Sequence, residues 1–487
     1  MSLKQKTIKG IIWIAIQNWG NQIVSFAVFP ILARLLGPEA FGLIALTSVF
    51  LSFLQVFLDQ GFGQAIIQRR DLEPEHLDTA FWTSMGMSVF LMGLTCASAD
   101  LVAAFFKQPL LVPIIRWLSL SFLFTGLDSI QSTILSRELA FKTLATRSLI
   151  ATVASGVVSV TMAFQGYGVW SLVAQTITNG VVSVAVLWSS TKWRPGFRFS
   201  VRHFNELFTY GINIVATNIL NFFNRRADDF LIGYFLGPVA LGYYTVAYRL
   251  LLITTQLLIS TMQRISMPVF SKIQDDTERL RRAFFKSIQL TNLVAYPAFV
   301  CLSVLAPELI TLLFGSQWQA SIPVMQILGL VGFLQAGFFY NGPMLMALGK
   351  PHWNLRYNLF QAVCNVTCFL IAVRWGIVAV AASYVIRSYA TSPVNVWLIR
   401  KALHFKVADY LRQYATPILA SLVMTASILA AKAILQGTID PRALFGLYLV
   451  IGLGGYVATV FVVAPSVLQE IRALVLSVVP AKHKKSA

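Results

Sequence analysis

Apolar stretches of about 20 residues, the length that crosses a bilayer as a helix, recur from Gly10 to about residue 464 of this chain. About fourteen can be counted, the first near 10–33 and the last near 443–464. Only 12% of the residues are charged, roughly half the share usual in a soluble protein. The first run has no A-x-A cleavage site and is too long for a signal-peptide core, so it reads as the first span. The expected fold is all-α and polytopic.

The net charge of +19 would suit a nucleic-acid binder, but its distribution does not. Lys and Arg alternate between the two sets of connections. One set, from Lys4, Lys6 and Lys9 through Arg194 and Arg198 to Lys484 and Lys485, holds 28 of the 38. The other ten lie in the opposite set or within spans, Arg249 and Arg387 among the latter. The positive-inside rule then puts both termini in the cytoplasm. Attraction to anionic lipid accounts for the excess charge, and no nucleic-acid partner is expected.

Residues 36–42 read LGPEAFG and residues 236–242 read LGPVALG. The offset of 200 holds without a gap across 18–47 and 218–247, where Asn18/Asn218, Asn21/Asn221 and Ala27/Ala227 also match. Both copies enter from the cytoplasm, which makes this a parallel duplication of the kind that encloses a cavity between two bundles. The expected division is a six-span bundle at 1–190, a linker at 191–205, a second six-span bundle at 206–405, and two further spans with a basic tail at 406–487. In each hairpin Gly-Pro makes the turn, and the small residues let spans approach closely.

The segments LARLLGPEAFGLIAL, DQGFGQAIIQRRDL, SRELAFKTLATRSL, GYGVWSLVAQ, NRRADDFLIGYFLG and MPVFSKIQDDTERLRRAF follow one another in order. Together they resemble the polysaccharide transporter family, in its colanic-acid-exporter-like branch, within the multidrug/oligosaccharidyl-lipid/polysaccharide flippase superfamily. The resemblance runs from about residue 5 to 412. It implies a bacterial inner-membrane flippase that moves polyprenyl-diphosphate-linked oligosaccharide repeat units outward by alternating access, in the company of membrane lipids and of polysaccharide polymerase and assembly proteins. Lipid II flippases and multidrug/cation antiporters of the same superfamily are the alternatives, with a polytopic oligosaccharide polymerase or ligase further off.

The duplication places FFNRRADDF within span 7, because Arg225, Arg226, Asp228 and Asp229 align with Ser25, Phe26, Val28 and Phe29. Each charge costs about 2.5–3.5 kcal/mol to insert on translocon-based scales. Helical spacing allows Arg225 to pair with Asp228 or Asp229, and Arg226 with Asp229. It also aligns Asn218, Asn221, Arg225 and Asp228 on one face, which must meet protein or water. The functional reading is a cavity lining: Arg225 for the cargo's diphosphate, and Asn18, Asn21, Gln22, Asn218 and Asn221 for its sugar hydroxyls. Asp228, Asp229 and Asp59 are the candidates for coupling to a proton or Na⁺. The alternative is an ion-pair cluster that locks span 7 to a neighbour. Arg387 in span 12 joins the binding candidates, reaching either an anionic headgroup or a carboxylate.

DDTERLRRAF reads as an amphipathic helix on the membrane surface. Cys96, Cys301, Cys364 and Cys368 lie within spans and read as packing residues. The five histidines (76, 203, 352, 404 and 483) show no metal spacing or nucleophile pairing, and phosphate-loop and H-E-x-x-H patterns are absent. No enzyme activity, cofactor or metal is expected.

Overall fold

The computed structural model describes residues 3–58, 62–69, 71–435 and 440–465, with side chains except at 3–8, 11, 205–217, 220, 221 and 259–265. Every regular element among them is helical. The first eight helices are α1 (Leu3–Leu58), α2 (Phe62–Gln68), α3 (Pro74–Phe106), α4 (Leu111–Leu118), α5 (Leu120–Arg137), α6 (Phe141–Phe164), α7 (Trp170–Ser190) and α8 (Val201–Thr255). They are followed by α9 (Thr261–Lys272), α10 (Thr277–Val304), α11 (Ala306–Phe314), α12 (Ser321–Phe338), α13 (Asn341–Ala347), α14 (Pro351–Ala372), α15 (Ile377–Leu403), α16 (Val407–Leu435) and α17 (Pro441–Val463).

Eleven stretches of the described residues are long and apolar enough to cross a membrane, against the fourteen or so expected. The expected spans 1 and 2 run into one helix, α1, across a break, as the expected spans 7 and 8 do in α8, and α15, which carries Arg387 mid-length, is not among the eleven. The breaks fall at Gly37 (φ 74°, ψ 174°) and Gly237 (φ 84°, ψ 178°). That backbone region is essentially open only to glycine. The following Pro38 and Pro238 offer no N–H to continue the ladder.

At each break the chain turns back on itself. The rings of Phe29 and Phe41 lie 5.6 Å apart, where twelve residues of straight helix would span about 18 Å. In the second copy Tyr244 Oη donates to Asp228 Oδ2 at 2.8 Å across sixteen residues, a stretch of about 24 Å if straight. The two turns also meet each other: a Cβ on Gly42 would overlap the Pro238 carbonyl, and one on Gly242 would overlap the Pro38 carbonyl. Positions 200 apart thus make reciprocal contacts, as a local two-fold axis between duplicated hairpins requires. The carbonyls orphaned at the end of the first arm find donors in a short segment after α11. Gln317 Nε2 donates to Ala33 O and Arg34 O at 2.9 Å each, and Trp318 Nε1 donates to Ala33 O at 2.9 Å.

By compactness the chain forms two units. The first comprises Met1–Val246, Leu313–Trp318 and Ala362–Val380; the second comprises Ala247–Leu312, Gln319–Gln361 and Ala381–Ala487. Duplication and compactness partition the chain differently, since the second hairpin up to Val246 belongs to the first unit. Within the first unit the connection between α7 and α8 is docked on α3: Asp78 Oδ1 accepts from Gly196 N at 2.9 Å, Thr79 Oγ1 accepts from Ser200 N at 3.1 Å, and Trp82 Nε1 donates to Gly196 O at 2.8 Å.

Within the second unit α16 and α17 pack on α10 through Val300, Met424, Ile428, Tyr448 and Val460. Tyr456 Oη donates to Leu293 O at 2.9 Å, and Lys432 Nζ pairs with Glu308 at 2.7 Å. DDTERLRRAF does not form a separate surface helix. Asp276 caps α10 by accepting from Arg279 N at 2.9 Å, and the helix continues without a break to Val304. Its apolar face is continuous with that of the span, so packing favours one helix over two.

Candidate functional site

The four charges of span 7 lie on α8 ahead of the Gly237 turn, and the helix sorts them by face. Asp228 and Asp229 are buried, Arg226 is half-buried, and Arg225 is exposed. Arg226 Nη1 pairs with Asp229 Oδ2 at 3.0 Å, one of the expected pairings. The other two expected pairings do not form: Asp228 instead accepts from Tyr244, and Arg225 makes no ion pair or hydrogen bond with any described residue. The hairpin accounts for this, because folding back at Gly237 brings a hydroxyl donor to Asp228 and takes it out of competition for Arg225.

Arg225 stands twelve residues before Gly237, about 18 Å along the helix. With the turn at one interface of a hydrocarbon core about 30 Å thick, Arg225 falls near the middle of the span. A charge there needs protein, water or a ligand, and no described protein group supplies a partner. Beside this stretch, a cavity of about 350 Å³ is lined by Phe53, Phe106, Phe222, Phe230 and Val366, with Arg226 its sole charge. Asn224, next to Arg225, accepts from Asn365 Nδ2 on α14 at 3.4 Å.

The other candidates separate. On α1, Asn21 Nδ2 donates to Ser148 Oγ of α6 at 2.6 Å, while Asn18 is exposed and Gln22 half-buried. Arg147, beside Ser148, forms an ion pair with Asp128 of α5, both largely buried. Asn218 is half-buried on α8. Asp59 and the side chain of Asn221 lie outside the described residues. In the second unit Arg387 is only 8% exposed. Its Nη1 donates to Gln361 Oε1, its guanidinium stacks 5.1 Å from the Tyr384 ring, and its Nε has no partner. Gln361 Nε2 in turn donates to Tyr357 Oη and, at 3.0 Å, to Thr391 Oγ1. Among the described residues no carboxylate holds Arg387; an amide does.

Sequence reasoning missed Asp128, although a lone carboxylate in the apolar run SLSFLFTGLDSI was itself a signal. It also missed Tyr244, Asn365 and Gln361, which no spacing singles out. The histidines, scattered in sequence, are not all scattered in space: His76 and His203 stack with ring centroids 3.9 Å apart.

Residues 31–323 match the family described as polysaccharide biosynthesis protein. The chain belongs to this family. Among its relatives, the teichuronic acid biosynthesis protein TuaB of Bacillus subtilis (strain 168) is 26% identical over 87% of this chain and 88% of its own length. The lipopolysaccharide biosynthesis protein WzxC of Escherichia coli (strain K12) is 28% identical over 76% of each chain. The solved structure of the lipid II flippase MurJ, in an inward closed conformation, superposes with a TM-score of 0.77 at 15% identity, covering 94% of this chain and all of that one. The family membership agrees with the resemblance in the sequence, and the MurJ likeness establishes a shared polytopic helical fold.

Proposed function

We propose that this chain is an inner-membrane flippase that carries polyprenyl-diphosphate-linked oligosaccharide repeat units from the cytoplasmic to the periplasmic leaflet by alternating access, with both termini in the cytoplasm. The observation that carries this reading is Arg225, a guanidinium deep in a span without a partner among the described residues. An arginine left open in this way suits a diphosphate, which it can grip through two parallel N–H···O bonds. Asn18, Asn21, Gln22, Asn218 and Asn221 would meet sugar hydroxyls, and Arg387 would offer a second cationic contact once Gln361 gives way. Asp228 and Asp229 are the proposed coupling sites: a proton or Na⁺ taken up there would free Tyr244 or Arg226.

The names of TuaB and WzxC support a surface-glycan cargo. Lipid II carries the same diphosphate and is the rival cargo, but the MurJ likeness bears on fold alone. Transport, not catalysis, is the proposed activity, with polymerase and assembly proteins receiving the product.

The test is export of the surface glycan by variants at normal protein level. Arg225→Ala should reduce export at least about 100-fold, in line with about 3 kcal/mol lost from a charge-assisted contact. Arg225→Lys, which keeps charge but not the planar fork, should fall between. Normal export by Arg225→Ala would remove the arginine from the cargo path.

A further inference from the structure

The linker segment between α7 and α8 ends where two histidines meet. His76, in the first turn of α3, and His203, in the first turn of α8, are both buried. Their rings stack at an interplanar angle of 29°. Glu73, just before α3, brings its carboxylate to 3.6 Å from His203 Nε2 and keeps it largely exposed. One ligand atom from each of the three residues lies within 4.8 Å of the others. His203 Nδ1 is buried and has no hydrogen-bond partner. They come from two segments more than a hundred residues apart, and the proposed transport path uses none of the three.

We infer that Glu73, His76 and His203 form a binding site for one divalent transition-metal ion, zinc being the best match, which fastens the linker to the start of α3. Two imidazoles and a carboxylate are a ligand set that zinc takes, with bonds of about 2.0–2.2 Å and a fourth position left to water. Two atoms on a tetrahedral zinc stand about 3.4 Å apart at these bond lengths, so closing the site from separations of up to 4.8 Å asks for a contraction of up to about 1.4 Å. The ion must lie in the plane of each imidazole that binds it, so uptake also splays the stacked rings. Glu73 reaches in from solvent and is tied to His76 by a capping box: its carboxylate accepts from the His76 backbone N–H, and its own N–H donates to His76 Nδ1 at 3.3 Å, contacts that a bound ion would have to rearrange. The linker is already tied to the next turn of α3 through Asp78, Thr79 and Trp82. A metal at His203 extends that seam by one more turn and pins the entry to α8, the helix that bears Arg225.

The full chain, purified in detergent on a tag free of histidine, is titrated with zinc alone, followed by cobalt for its visible d–d absorption. One ion per chain is expected, with Glu73→Gln and His203→Gln each weakening affinity by at least about 100-fold, beyond the 10- to 100-fold typical of groups that only orient ligands. Amide hydrogen exchange over residues 196–204 should slow on adding zinc to the wild type and not to Glu73→Gln. Glu73 is exposed enough that its substitution leaves the fold intact, so it carries the test if His203→Gln does not fold. No uptake, or uptake unchanged by both substitutions, overturns the site. None of these readouts depends on cargo or transport.

Discussion

A guanidinium in hydrocarbon and a carboxylate in hydrocarbon pose the same problem, and span 7 solves it differently for each. Asp229 keeps Arg226, Asp228 borrows the hydroxyl of Tyr244, and Arg225 is left open. Arg226→Gln should therefore destabilise the fold, because Asp229 would stay buried without a cationic donor. The loss should be about 1.5–3 kcal/mol, the worth of a hydrogen bond to a charged group, and should show as a lower unfolding temperature in detergent. Arg226→Gln with Asp229→Asn should recover most of it. An Arg226→Gln protein as stable as wild type would mean that the pair does not hold the span, and that Arg226 is available to cargo instead. The charges themselves were legible in the sequence, as was the Arg226–Asp229 pair, since i, i+3 neighbours need only a helix. Which aspartate would lose its arginine was not. That depends on Tyr244, which reaches Asp228 only because the chain reverses between them.

At the scale of elements, the duplicated hairpin is the part that sequence disclosed best. LGP-x-A-x-G named the turn, the small residues and the 200-residue offset, and in the structure each turn packs against its copy. The contact explains why glycine stands at both Gly42 and Gly242. Gly42→Ala or Gly242→Ala sets a methyl against a backbone carbonyl that no side-chain rotation can move, and overpacking of this kind costs about 1–3 kcal/mol. Gly86→Ala and Gly93→Ala, where a Cβ meets nothing within 4 Å, serve as controls and should be neutral or slightly stabilising in α3. Equal stability of all four in thermal unfolding would contradict the reciprocal packing. Two element-scale expectations were overtaken by packing. The surface helix at DDTERLRRAF merged into α10, because nothing in the sequence breaks the helix between its polar start and its apolar continuation. The His76–His203 pair escaped notice because it depends on the linker lying back along α3.

For the whole molecule, family membership, the polytopic helical fold and an arginine within a span that has no partner among the described residues support the proposed movement of an anionic lipid-linked glycan. Apolar run lengths were enough to read the fold class. The cargo path was only partly readable, since a stripe of asparagines on one helix face does not say which of them other helices will claim: Asn21 is taken by Ser148, while Asn18 remains exposed. The most direct measurement is mass spectrometry of polyprenyl-diphosphate-linked glycans in a strain lacking this protein, with leaflet location assigned by a membrane-impermeant label. The account predicts that one defined repeat unit accumulates on the cytoplasmic leaflet, that the matching surface polysaccharide is lost, and that wild type but not Arg225→Ala reverses both. A normal lipid-linked pool together with new sensitivity to cationic dyes would contradict it and point to a drug antiporter.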